Sequence, residues 1–103
     1  MLKQFHAYIL RCADGTYYVG HTDDLDVRMA QHVEGTYPGY TSKRRPVELV
    51  WAEGFATRDE AKVAEHRLKG WRREKKEALI RGETEHLPEL ASRSRRPDTG
   101  QAR

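Results

Sequence analysis

Sulfhydryl chemistry is almost absent from this 103-residue chain, which has a single cysteine, Cys12. An intrachain disulfide is therefore excluded, and such usage fits a reducing compartment. No apolar run approaches the roughly 20 residues that a membrane span requires. The first residues, with one early lysine and no extended apolar stretch, do not read as a signal peptide. A cytoplasmic protein without membrane partners is the expectation. The five histidines, at 6, 21, 32, 66 and 86, lack zinc-ligand spacing, and Glu65-His66 is not part of an HExxH pattern. Walker-type and dinucleotide-binding glycine loops are missing as well. Charge of one sign is also scarce. The net charge is +3, and the arginines at 93, 95, 96 and 103 against Asp98 supply all of it. Affinity for nucleic acid cannot come from bulk charge in such a chain. It needs local patches, here Lys43-Arg44-Arg45 and the series Lys69, Arg72, Arg73, Lys75, Lys76.

What is present is a small mixed chain, 37% hydrophobic and 34% charged, enough for one domain with a modest core. Residues 5–12 are apolar and aromatic, Ala13-Asp14-Gly15 interrupts them, and residues 16–20 resume strand-forming types, so a β-hairpin is predicted. The turn decides which side chains meet. A two-residue Asp14-Gly15 loop would put Tyr8 and Tyr18 on opposite faces. A three-residue loop with Gly15 left-handed pairs Cys12 with Thr16 and places both tyrosines on one face. A shared site needs the second register.

Thr22 or Asp23 is the predicted cap of a helix running to about Glu34 and stopped by Gly35. Leu25, Met29 and Val33 form its apolar stripe, with Arg28 and His32 beside it. Residues 35–46 read as a surface loop, and residues 47–55 as a third strand. Thr57 is predicted to cap a long helix to about Arg73, with Ala61, Ala64, Leu68 and Trp71 buried. A second charged helical segment spans residues 73–81. Leu87-Pro88-Glu89-Leu90 could dock weakly, and residues 92–103 form a basic tail expected to be disordered. The domain is expected over residues 1–91.

Glu65 is the sharpest anomaly, because the helical wheel aims it at the sheet beside Leu68. A buried carboxylate needs a counter-charge, a hydrogen-bond network or a metal. Lys69 one turn later would supply a plain salt bridge. A divalent cation is the functional alternative, and one carboxylate suits Mg²⁺, which keeps much of its water shell. Arg28 could snorkel, or could clamp a phosphate oxygen. His32 could be a buried hydrogen-bonding residue or a proton acceptor. Tyr8 and Tyr18 are ordinary strand residues unless something lowers a phenol pKa near 10.

Together these residues resemble the GIY-YIG nuclease superfamily, in its small stand-alone branch. His6-Ala7-Tyr8 stands where Gly-Ile-Tyr would be, and Tyr18-Val19-Gly20 matches the second half-motif. Arg28, His32 and Glu65 fall in the family's order, and the stretches 40–53 and 69–76 look like its linker, third strand and basic helix end. The resemblance covers roughly residues 3–82. It implies an α+β fold, a three-stranded antiparallel sheet flanked by helices in the order β-β-α-β-α-α. It also implies DNA phosphodiester hydrolysis with Mg²⁺ or Mn²⁺, of low sequence specificity and possible use in DNA repair or processing. By analogy Tyr18 would orient or deprotonate water, assisted by Tyr8 and His32. Arg28 would stabilise phosphate charge and Glu65 would hold the metal. Lys43, Arg44, Arg45, Lys69 and Arg72 would contact the nucleic acid, DNA first and RNA as the other choice. Some relatives carry lysine directly after Tyr-x-Gly, where this chain has His21. A non-catalytic nucleic-acid-binding module and a small protein adaptor are the competing readings. A partner protein could supply targeting.

Overall fold

Runs of β-branched and aromatic residues on both sides of Asp14-Gly15 pair as a hairpin in the computed structural model, which describes residues 4–83. β1 (Phe5–Arg11) and β2 (Tyr17–Thr22) are antiparallel, with Tyr8 opposite Gly20 and Leu10 opposite Tyr18. This is the register that puts both tyrosines on one face. The turn explains it. The Cys12 amide donates to the Thr16 carbonyl at 2.8 Å, the Gly15 amide donates to the Cys12 carbonyl at 2.9 Å, and Gly15 has φ of 86°. Only glycine adopts that left-handed geometry without a steric cost. The Asp14 carboxylate accepts from the Thr16 hydroxyl at 2.6 Å and braces the turn. β3 (Glu48–Phe55) adds to the other edge of β1, giving the order β2-β1-β3, with a bulge between Ile9 and Leu10.

α1 (Leu25–Glu34) begins one residue later than a cap at Asp23 predicts and two later than a cap at Thr22. Its cap is Asp24, whose extended backbone lets its carboxylate accept the Val27 amide at 3.1 Å, while the Thr22 hydroxyl accepts the Asp24 amide. Thr22 thus shapes the approach to the helix instead of capping it. The predicted stripe also needs correction. Val33 is 65% exposed, Leu25 and Met29 are half-buried, and the buried residue of α1 is His32. A histidine can displace valine from the interior because both of its ring nitrogens find partners there.

A short 3-10 turn, Thr41–Lys43, lies in the loop before β3. α2 (Arg58–Lys69) starts with a capping box: Thr57 accepts the Glu60 amide at 3.1 Å and Glu60 accepts the Thr57 amide at 3.3 Å. It ends at Lys69, four residues short of the predicted end, where Gly70 weakens the helix and leaves Trp71 outside it. The predicted buried stripe of Ala61, Ala64 and Leu68 is present. α2 packs against all three strands, its alanines permitting close approach. Each fully buried side chain such as Ile9 or Leu68 contributes about 1.5–3 kcal/mol.

The chain divides into two units at Lys69/Gly70. Among the described residues the second unit holds α3 (Arg73–Ile80), with Lys75 over the Trp71 ring at 4.6 Å and Arg73 paired to Glu77. The α+β order β-β-α-β-α-α read from the sequence is the observed one. The expected docking of residues 87–90 and the basic tail lie outside the described residues. No described helix is long and apolar enough to cross a membrane.

Gly20 fixes how tightly this face is packed. A Cβ there would lie 2.6 Å from the Tyr8 hydroxyl oxygen and 3.1 Å from Cε2 of Tyr18. Tyr8 is fully buried and has little room to retreat. Gly20→Ala is therefore expected to destabilise the protein by about 1–3 kcal/mol through overpacking. Urea denaturation checks this, and an unchanged midpoint would show that the ring moves freely.

Candidate active site

Parity of the strands places Tyr8, Tyr18 and Gly20 on the face that meets α1, and His21 on the opposite face, towards α2. Tyr8 is the centre of a buried polar cluster. Its hydroxyl lies 3.0 Å from Nε2 of His32, and Nδ1 of His32 lies 2.8 Å from the Thr41 hydroxyl. The rings of Tyr8 and Tyr18 are 6.3 Å apart, and His32 meets both edge-on at 5.8 and 5.6 Å. Tyr37 sits 4.7 Å from His32, and Tyr40 stacks on Tyr18 at 6.2 Å.

Arg28 is held from three sides. Its Nε donates to Gln31 Oε1 at 3.2 Å, a terminal N–H donates to the His21 carbonyl at 3.3 Å, and its guanidinium lies 4.3 Å over the Tyr37 ring. The fork is thus fixed before any ligand arrives. His21 joins this group to Glu65. Its Nδ1 lies 2.5 Å from Glu65 Oε1, while Lys69 Nζ lies 2.7 Å from Oε2. The Glu65 side chain is 17% exposed. The plain salt bridge expected with Lys69 is therefore present, together with a second partner.

Burial and charge set the protonation states. Burial pushes the Tyr8 phenol up to about 12, against a lowering hydrogen bond and charge from Arg28. Burial and the neighbouring Tyr8 and Tyr37 also raise Tyr18. The Glu65 charge raises both phenols, so it acts on the same region. His32 is lowered to about 4, first by burial and then by the Arg28 charge. Burial alone would raise Glu65, but hydrogen bonds from Lys69 and His21 hold it below the usual carboxylate value. At neutral pH the cluster holds two protonated phenols, a neutral imidazole, a guanidinium and a carboxylate.

No group of three or more histidine, cysteine, aspartate or glutamate side chains able to hold a metal occurs among the described residues. A caged zinc site does not fit this donor set. One ionised, part-buried carboxylate beside a polar cluster does fit a hard divalent cation that keeps most of its water. Both Glu65 oxygens are engaged, so a cation would replace or share with His21 or Lys69.

Of the basic residues assigned to substrate contact, Arg44 is held by Asp14 at 3.0 Å and lies over Tyr40 at 3.8 Å. Arg45 donates to the Val33 and Ser42 carbonyls. Lys43 is exposed, on a shallow groove shared with Ala13, Asp14, Arg44 and Arg45. Lys69 is tied to Glu65, and Arg72 lies in the second unit, at the cap of α3. The sequence reading missed Tyr37, Tyr40, Thr41 and Gln31. The three loop residues follow no periodic pattern. Their only signal was aromatic and hydroxyl residues crowded into a loop between two site-bearing elements.

Two tyrosines across a hairpin, an arginine and histidine on the next helix, and a glutamate on the one after define a GIY-YIG-type domain. The model of the GIY-YIG catalytic domain matches residues 4–78, and the chain belongs to that family. It is 49% identical to a UPF0213 protein of Bacillus pumilus over 73 residues, covering 71% of this chain and 74% of the relative. A UPF0213 protein of Halobacterium salinarum is 45% identical over 75 residues, covering 73% and 97%. Two structures solved by solution NMR are similar. A protein from E. faecalis matches with TM-score 0.56, 35% identity and 96% coverage of each chain. A UPF0213 protein from Bacillus halodurans matches with TM-score 0.50 and 39% identity, covering 75% of this chain and 82% of that one.

Proposed function

We propose that this protein is a divalent-metal-dependent endonuclease that hydrolyses DNA phosphodiester bonds with low sequence specificity. The observation that carries this reading is the linkage of Arg28 to both halves of the cluster: to the Tyr8–His32 pair by charge, and to Glu65 through the His21 carbonyl and ring. Arg28 would grip a non-bridging phosphate oxygen and stabilise the charge that grows there during in-line attack. Tyr18, near the cluster's exposed side, would accept and orient the attacking water. Its raised pKa makes it a positioning group in the protein alone, not a resting base. Glu65 would hold Mg²⁺ or Mn²⁺, which when bound supplies positive charge beside the phosphate and acidifies a bound water. Lys43, exposed in the loop that carries Tyr40 and Thr41, would follow a phosphate backbone. Backbone-directed contact of this kind selects DNA shape over sequence. A cytoplasmic role in DNA repair or processing, with targeting by a partner, fits such a module.

The test is a panel of single-stranded, duplex, flapped and branched DNA incubated with the full chain in Mg²⁺, Mn²⁺ or chelator. Cleavage is expected with metal and none with chelator. Glu65→Gln, which keeps the shape and removes the charge, should abolish metal-dependent cutting while preserving the circular dichroism spectrum. Salt-sensitive DNA binding without cleavage under every condition would leave the non-catalytic binding module as the function.

A further inference from the structure

Thr41 lies in the loop between α1 and β3, is 1% exposed, and has its hydroxyl against the buried ring of His32. With His32 also 1% exposed, bulk water does not share in the chain that runs from Thr41 through His32 to Tyr8. A neutral imidazole has one N–H and one lone pair, so one of the two hydroxyls must donate to it and the other must accept from it. His32, lowered to about 4, is neutral at neutral pH, so this alternative is a real choice of tautomer.

The chemistry of the two hydroxyls decides it. A phenol is a stronger acid than an aliphatic alcohol, hence the better donor and the poorer acceptor. The positive charge of Arg28 acts to lower the Tyr8 phenol, which favours donation by the phenol over acceptance. If His32 donated to the Tyr8 oxygen, the phenol proton would lose its acceptor on the imidazole in a fully buried residue. In the opposite polarity the phenol proton is paired, and the hydroxyl whose proton does not go to the ring is the weaker donor, Thr41. We infer that Thr41 is a positioning residue that accepts the Nδ1–H of His32, fixing the tautomer whose Nε2 accepts the Tyr8 hydroxyl proton. The loop thereby sets the direction in which the Tyr8 hydroxyl points, within the electrostatic reach of Arg28, the phosphate-gripping group of the proposed nuclease. In its activity arm this inference rests on that nuclease reading; its spectroscopic arm does not.

Long-range proton–nitrogen NMR of the ¹⁵N-labelled full chain at neutral pH reads the tautomer directly. His32 is expected to show a protonated Nδ1 and a pyridine-type Nε2. The reverse pattern, or a doubly protonated ring, overturns the inference whatever the protein's activity. Thr41→Val removes the acceptor at similar volume. It should change the His32 nitrogen pattern and lower kcat on cleavable DNA about tenfold, with KM held within about twofold. Thr41→Ser should restore both. A Val variant with wild-type nitrogen shifts and kcat, or a Ser variant that restores neither, would overturn it. If the Val variant fails to fold, the wild-type spectrum and the Ser variant still decide. A wild-type protein that cuts no DNA defeats the nuclease reading alone, since the tautomer is read without substrate.

Discussion

Arg28→Ala is expected to lower metal-dependent cleavage by about 10²–10³-fold, the usual loss when one preorganised donor to a developing anionic charge is removed. The size follows from how the side chain is held. Gln31, the His21 carbonyl and the Tyr37 ring fix the guanidinium before substrate binds. Little ordering is therefore left to cost free energy at the moment of reaction. Arg28→Lys should recover only a small part, because an ammonium keeps the charge but loses the planar fork and most of the stacking on Tyr37. Stability should fall by no more than about 1 kcal/mol, the scale of a partly exposed cation–π contact. Single-turnover cleavage alongside urea denaturation separates the two effects. Cleavage by the alanine variant within about threefold of wild type would remove Arg28 from the chemistry.

Acid should destabilise the fold before ordinary carboxylates titrate, and His32 is the reason. Its folded-state pKa is about 4 against an ordinary value of 6.5. Between those values the unfolded chain binds more protons at this residue than the folded one, so stability rises with pH across that window. The contribution is fully present above about pH 6.5 and is lost as pH falls to 4. A displacement of this size corresponds to about 3 kcal/mol. Glu65 acts in the same direction but lower, because its folded pKa lies below the usual carboxylate value, so its contribution disappears only as pH falls through that depressed pKa. Urea denaturation at several pH values checks the window. In His32→Gln the slope between pH 6.5 and 4 should flatten. An equal slope in the variant would show that the buried imidazole is not the titrating group. Arg28→Ala links the two predictions: the guanidinium charge helps to depress His32, so its loss should move the acid transition towards lower stability cost and a higher folded pKa.

Local rules carried the sequence reading a long way and then stopped at identifiable places. The turn chemistry of Asp14-Gly15-Thr16 allowed two registers, and the demand that Tyr8 and Tyr18 share a face selected the pairing of Tyr8 with Gly20 that the structure has. The buried alanines of α2 and the inward Glu65 followed from helical period. Period misled at Val33, since hydrophobicity ranks valine above histidine and knows nothing of Thr41 and Tyr8 waiting with hydrogen bonds. It also ran α2 past Gly70, where a single weak residue ends the helix despite the apolar Trp71 beyond it. The second partner of Glu65 was hidden for another reason. His21 and Glu65 lie 44 positions apart, and no pairwise rule in a single sequence joins them. Tyr37, Tyr40 and Thr41 belong to a loop whose path is set by tertiary contacts, such as the Tyr40 hydroxyl donating to Thr16 at 2.7 Å.

The turn at Gly15 has one further consequence, which is arithmetical. Side chains alternate along a strand, so what the two tyrosines share is an even-or-odd count carried across the bend. Adding or deleting one residue between Cys12 and Thr16, with the three-residue turn kept so that the register shifts by one, would send Tyr18 to the far side of the sheet and bring Tyr17 and Val19 to Tyr8's side. The bend's composition is free to drift within the demands of its left-handed position. Its length is a digit that the chemistry reads, and two added residues would be better tolerated than one.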